Sequence, residues 1–160
     1  RGLNKEFTIN ENLVAIHLEE VSRGELLDRK KIAQKGKELI EKYDIRPADG
    51  ELKAGTLSGG TAQKIVVARE IESGGKLLIA AQPTLGVDIG AIESIRGYLN
   101  RAKEQGVAVL LISADLDEII ALSDRIIVLH EGRISGELPG GDVDMERLGL
   151  LMTGGKIDEG

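Results

Sequence analysis

Apolar residues recur at helical spacing through the first half of the chain and in unbroken runs through the second. Leu13, Val14, His17, Leu18 and Val21 share one helical face and predict a helix over residues 10–21, with Asn10 as its N-cap. Behind Asp28, the residues Ile32, Gly36, Leu39, Ile40 and Tyr43 predict a second helix over 29–43, broken by Arg46-Pro47-Ala48-Asp49-Gly50. A third, over 61–72, turns Ile65, Ala68 and Ile71 inward and closes at Ser73-Gly74-Gly75. The pattern then changes. The runs 77–81 and 107–113 are continuously apolar, as strands of a parallel sheet covered on both faces require, and a helix over 91–104, stopped by Gly106, separates them. A short helix over 115–122, a strand over 125–130 and a further strand over 133–137 after the Glu131-Gly132 turn complete the series. A helical block followed by β-α-β-α-β predicts an α/β fold, half of a doubly wound domain. Residues 1–75 form the helical part, 76–153 the α/β part and 154–160 a frayed tail.

With 160 residues and 41% hydrophobic content, the chain has enough material for one core. Phe7, Tyr43 and Tyr98 are the only aromatics, so Ile, Leu, Val and Ala must build that core. The formal charge of −6, with both signs interspersed, disfavours a nucleic-acid partner. The absence of cysteine excludes disulfides and Cys-based zinc sites. No apolar run reaches the 18 residues of a membrane span. The opening Arg1-Gly2-Leu3 reads like the middle of a longer protein.

The most informative stretch is Leu57-Ser58-Gly59-Gly60, followed by Gln63-Lys64 and Ala68-Arg69-Glu70. A serine and two glycines opening a helix leave backbone N–H groups and the positive helix end accessible to an anion. The three residues alone equally describe an ordinary capped helix. The full string closely resembles the signature motif of ATP-binding-cassette (ABC) ATPases. Downstream, Leu77-Leu78-Ile79-Ala80-Ala81 with Gln82-Pro83-Thr84-Leu85-Gly86-Val87-Asp88 resembles the Walker B strand and D-loop. The stretch from Val109 to Glu118 resembles the switch strand. Leu122-Ser123-Asp124-Arg125-Ile126 and Glu131-Gly132-Arg133-Ile134 resemble the end of a cassette. Within that family, Ala80-Ala81-Gln82-Pro83-Thr84 and the closing Leu148-Gly149-Leu150-Leu151-Met152 look most like the second cassette of simple-sugar and nucleoside importers.

The resemblance implies a partial P-loop NTPase fold whose binding residues are Ser58, Gly59, Gly60, Gln63 and Asp88. It implies ATP and Mg²⁺ as cofactors in a composite site with a partner cassette, permease subunits as further partners, and a peripheral place on the cytoplasmic side of the inner membrane. The departures are as pointed. Ala81 stands where the family has the Mg²⁺-ordering aspartate, Gln82 where it has the glutamate that activates water, and Ala114 where it has a histidine reaching the γ-phosphate. A methyl group holds no hydrated Mg²⁺, and an amide accepts no proton, so general-base help of about 10²–10⁴ in rate is lost. No G-x-x-x-x-G-K-[ST] occurs, because Gly36-Lys37, Gly75-Lys76 and Gly155-Lys156 are followed by Glu, Leu and Ile. The resemblance therefore implies the C-terminal portion of a cassette, without metal ligands and inactive alone. In the related fold the P-loop strand lies between those matching 107–113 and 125–130, so exposed sheet edges and a homo-oligomer formed through them are expected.

Other residues have simpler readings: His17 and His130 as packed or capping residues, Asp124 and Arg125 as a local ion pair, Asp117 and Glu118 as a solvated helix face, and Arg29-Lys30-Lys31 as a solvated helix start. Three functions fit: a transporter ATPase component, a non-transport ABC protein clamping another partner, and a binding or regulatory module without ATP dependence. The acidic balance and the importer-like stretch weigh against the second, and the intact signature loop against the third.

Overall fold

Thr8 and Glu11 form a capping box, with Glu11 N donating to Thr8 Oγ1 at 3.1 Å and Thr8 N to Glu11 Oε2 at 2.8 Å. They start helix α1 (Ile9–Val14), which is shorter than the expected 10–21. Thr8 is its cap, and Asn10 lies buried in the first turn instead. The side chain of Asn10 donates to Glu51 at 2.9 Å and fills space left by Gly36 and Gly50, where an added Cβ would sit 1.9 and 2.2 Å from its oxygen. Beyond Val14 the chain turns twice, through His17 N to Val14 O and Val21 N to His17 O. These turns keep Val21 buried and His17 nearly so, while Leu18 faces outward at 50% exposure. The computed structural model describes residues 2–155.

Strands β1 (Ser22–Arg23) and β2 (Leu26–Leu27) form a small hairpin, and α2 (Arg29–Lys42) follows with Asp28 as its cap, as the pattern predicts. Backbone donors Lys30 and Lys31 hold the Asp28 carboxyl below its ordinary pKa. After a single 3₁₀ turn (Ala54–Thr56) come α3 (Gly59–Glu72), β3 (Leu77–Ala81), α4 (Ile89–Glu104) and β4 (Ala108–Ile112). Helix α1 packs on α2 and α3, and α3 on α4. Ile9, Leu13, Ile45, Ile65 and Ile95 are fully buried in the first of two units, Arg1–Leu110. At the far end of α3 a polar knot joins three helices. Glu72 accepts from Lys42 and Tyr43, the Tyr98 hydroxyl donates to the Tyr43 carbonyl, and the two rings meet edge-on at 5.0 Å.

Ala108 N donates to Lys76 O at 2.9 Å, so β4 starts beside the start of β3 and the two run parallel across the α4 crossover. The expectation of strands buried on both faces fails here. Leu77, Ile79 and Leu110 share a face and are 58%, 61% and 49% exposed, whereas Ala80 is buried. A single crossover helix is too little to cover both faces of a sheet.

The second unit, Leu111–Gly160, holds α5 (Leu116–Leu122), capped by Asp115, and the antiparallel pair β5 (Arg125–His130) and β6 (Arg133–Pro139). Helix α6 (Met145–Met152) closes on that hairpin. Gly136 makes the approach possible, since a Cβ there would lie 2.5 Å from Leu151. Ile126, Val128, Leu138, Leu148 and Leu151 form the core, with Ile119 and Val143 against it. Asp117 is exposed as expected, but Glu118 is fully buried, because the next position along α5, rotated by about 100°, faces the interior. Arg125 pairs with Glu137 across the hairpin at 3.4 Å, and Asp124 contributes its carbonyl to Gly140 N. Gly154 and Gly155 follow α6, and the rest of the expected tail, 156–160, lies outside the described residues, as does Arg1.

Candidate functional site

Ser58 sits in extended conformation between the 3₁₀ turn and α3, and its Oγ accepts from Thr61 N at 3.2 Å. The Ser58 hydroxyl donates to Thr61 Oγ1 at 3.1 Å, and Thr61 donates in turn to the Arg46 carbonyl at 3.0 Å. This chain holds the loop against the segment that follows α2. Ser58 and Gly59 are exposed, and Gly60 is buried. The first amides of a helix have no intrahelical acceptor, so the start of this fourteen-residue helix offers donors to an anion. Gln63 lies one turn further on, half-buried.

A second helix start lies alongside. At the end of β3, Gln82 takes a left-handed conformation (φ 50°), and a tight turn follows, with Leu85 N on Gln82 O and Val87 N on Thr84 O. Gly86 carries φ 74°, a region that favours glycine. Asp88 then caps α4, its Oδ1 accepting from Ala91 N at 2.9 Å. The two starts touch: an added Cβ on Gly60 would meet Asp88 Oδ2 at 2.5 Å and Ala91 Cβ at 2.7 Å, and one on Gly59 would face Gly86 O at 3.7 Å. Ser58, Gly59, Gly60 and Asp88 are therefore brought together by the fold. Gly86 and Ala91 complete the contact and were missed in the sequence, where a small residue three places after a cap carries no signal of its own. Leu85 and Ile89, 76% and 77% exposed, flank Asp88.

Ala81 ends β3 with its methyl exposed, Gln82 is half-buried, and Ala114 stands exposed two residues beyond β4, in the second unit. The donor chemistry separates the two expected cofactor elements. A phosphate fits the hydroxyl and amide donors at the start of α3. A Mg²⁺ ion does not fit Ala81, Gln82 or Ala114, none of which supplies an anionic oxygen. Among the described residues, no group of three or more His, Asp or Glu side chains stands close enough to hold a metal ion.

No family model matches the chain. Over 160 residues, 99% of its length, it is 44% identical to the nucleoside import ATP-binding protein NupA of Lactococcus lactis. It is 43% identical over 155 residues to the ribose import ATP-binding protein RbsA of Bacillus subtilis, and 48% identical over 134 residues to the glucose import ATP-binding protein TsgD13 of Haloferax volcanii. The chain spans only a quarter to a third of these relatives, 32%, 31% and 24% of their lengths. Among solved structures, a dimeric ATP-binding cassette bound to ADP and phosphate superposes with a TM-score of 0.69 at 23% identity, covering 86% of this chain and 58% of that one. A second cassette of an ABC transporter gives 0.72 at 21% identity, covering 96% of this chain and 63% of that one. These likenesses establish the fold as that of an ABC cassette in part.

Proposed function

Because this chain is homologous to ABC importer ATP-binding proteins over 97–99% of its length, we propose that it serves in the ATP-binding subunit of a sugar or nucleoside importer. In this reading its loop at Ser58-Gly59-Gly60, with Gln63 and Asp88, closes over ATP and Mg²⁺ held by the P-loop of a partner cassette. The observation that carries it is the pairing of two helix starts, at Ser58 and Asp88, beside the exposed Ser58 and Gly59. The exposed Leu85 and Ile89 beside them give the partner an apolar margin. In this reading Ala81, Gln82 and Ala114 are each degenerate positions that contribute nothing to hydrolysis. Permease subunits are the other partners, and the protein acts peripherally on the cytoplasmic side of the inner membrane. Among the described residues, no helix is long and apolar enough to cross a membrane.

Solute uptake and ATPase rate in the reconstituted complex test this division of roles. Ser58→Ala is expected to lower both by about tenfold or more, the cost of a lost donor on developing phosphate charge. Gln82→Ala is expected to leave both close to wild type. Loss in Gln82→Ala comparable to removal of a catalytic carboxylate would refute the reading. The chain alone should release no phosphate from MgATP above background.

A second copy of the chain is the other partner to consider, favoured by the exposed apolar face of Leu77, Ile79 and Leu110 and by the outer edges of the two-stranded β3–β4 sheet, which no further strand covers among the described residues. Sedimentation of the isolated chain at rising concentration tests it. Ile79→Thr should shift the distribution toward monomer, and an unshifted monomer in the wild type would dismiss it.

A further inference from the structure

We infer that the two glycines of the loop lack side chains for different reasons, and that Asp88 acts as a positioning residue for the loop. The inference rests on the functional reading above and assigns its residues separate tasks. Gly60 lies inside α3 with an ordinary helical conformation, so conformational freedom is not what it supplies. Space is. An added Cβ would stand 2.5 Å from Asp88 Oδ2, a carboxylate that cannot swing aside freely because its other oxygen caps α4 through Ala91 N. It would also stand 2.7 Å from the Ala91 Cβ, which is fixed by the backbone and buried. Any side chain at position 60 therefore pushes the first turn of α3 off the first turn of α4 or breaks the α4 cap.

Gly59 differs on each count. Its nearest neighbour to an added Cβ is the Gly86 carbonyl at 3.7 Å, an ordinary contact, and the residue is exposed. The packing of the chain accommodates alanine there, so the missing side chain matters only to a group approaching from outside, such as a phosphate. Through Gly60, the carboxylate of Asp88 sets where Ser58 Oγ and the α3 amides stand. The loop and the turn before α4 move as one body.

The test pairs two measurements on the full chain and its complex: thermal unfolding without nucleotide, and ATP-dependent association with the partner cassette. Gly59→Ala should melt at the wild-type temperature yet associate about tenfold more weakly or worse. Gly60→Ala should lose in both. Adding Ala91→Gly to Gly60→Ala should recover part of each loss, and the cost of Gly60→Ala should shrink in an Asp88→Ser background, where a shorter side chain keeps the cap. If Gly60→Ala melts like wild type, if its losses and those of Ala91→Gly simply add, or if Gly59→Ala is equally destabilised, the inference is overturned. Wild-type chain that fails to associate in ATP would sink the functional reading instead, and the melting comparison would still decide the packing claim.

Discussion

Glu72 closes α3 with an almost buried carboxylate, 17% exposed, that accepts from Lys42 Nζ at 2.6 Å and Tyr43 Oη at 2.5 Å. Burial raises its pKa, but the hydrogen bonds from Lys42 and Tyr43 outweigh it and hold the group below the ordinary 4.5. The folded pKa therefore lies below the unfolded one. The resulting stabilisation is complete above about 4.5 and disappears as the pH falls through the lower folded value. Urea midpoints at pH 7 and pH 3 should differ more in wild type than in Glu72→Gln, and equal differences would exclude this carboxylate from the acid response. Tyr43→Phe should cost about 1.5 kcal/mol at neutral pH, the worth of a hydrogen bond to a charged group. At this scale the candidate site was half legible. Ser58, Gly59 and Gly60 were singled out as a helix opening within a string that resembles the signature motif, and Asp88 only through the resemblance to a D-loop. Gly86 and Ala91 were not, because their part is a contact between helix starts some thirty residues apart in the chain. Glu118 was misread for the same reason, since a charged residue in a helix gives no local sign of burial.

Helix starts were legible at Asp28 before α2 and Ser58 before α3, where a short polar cap precedes a periodic run; Asp144 before α6 was passed over. Helix α1 was overextended because Leu18 and Val21 keep helical spacing through a segment that forms turns instead, while the Thr8–Glu11 capping box went unnoticed. Strands β3, β4 and β5 were found from their apolar runs, but a run cannot say whether a neighbouring layer exists to cover it. Two helical glycines turn these packing arguments into opposite predictions. Gly97, within α4, has no atom within 4 Å of an added Cβ, so Gly97→Ala should stabilise by about 0.5–1 kcal/mol and raise the melting temperature by about 2–4 °C. Gly36, within α2, faces the Asn10 side chain, so Gly36→Ala should destabilise by about 2 kcal/mol despite the same gain in propensity. Scanning calorimetry of both variants checks the pair, and a shared sign would contradict the packing at α1 and α2.

For the whole molecule, the proposed function combines a cassette fold with a nucleotide half-site stripped of its chemistry. The chain has a loop that resembles the signature motif, but no phosphate-cradling motif and no carboxylate at positions 81 and 82. In the proposed role, the chain would act on ATP only where another protein holds the triphosphate in place. The sequence contains no cysteine, so Ser58→Cys introduces a single thiol at the start of α3 with little change in size. The decisive measurement mixes this variant with a cysteine-free partner cassette bearing an intact P-loop and an ATP analogue that carries a thiol-reactive group on the γ-phosphate. The expected result is a covalent label on the variant that forms only with the cassette present and is competed away by ATP. Equal labelling without the cassette, or none with it, would contradict the claim that this loop completes the ATP site of another subunit.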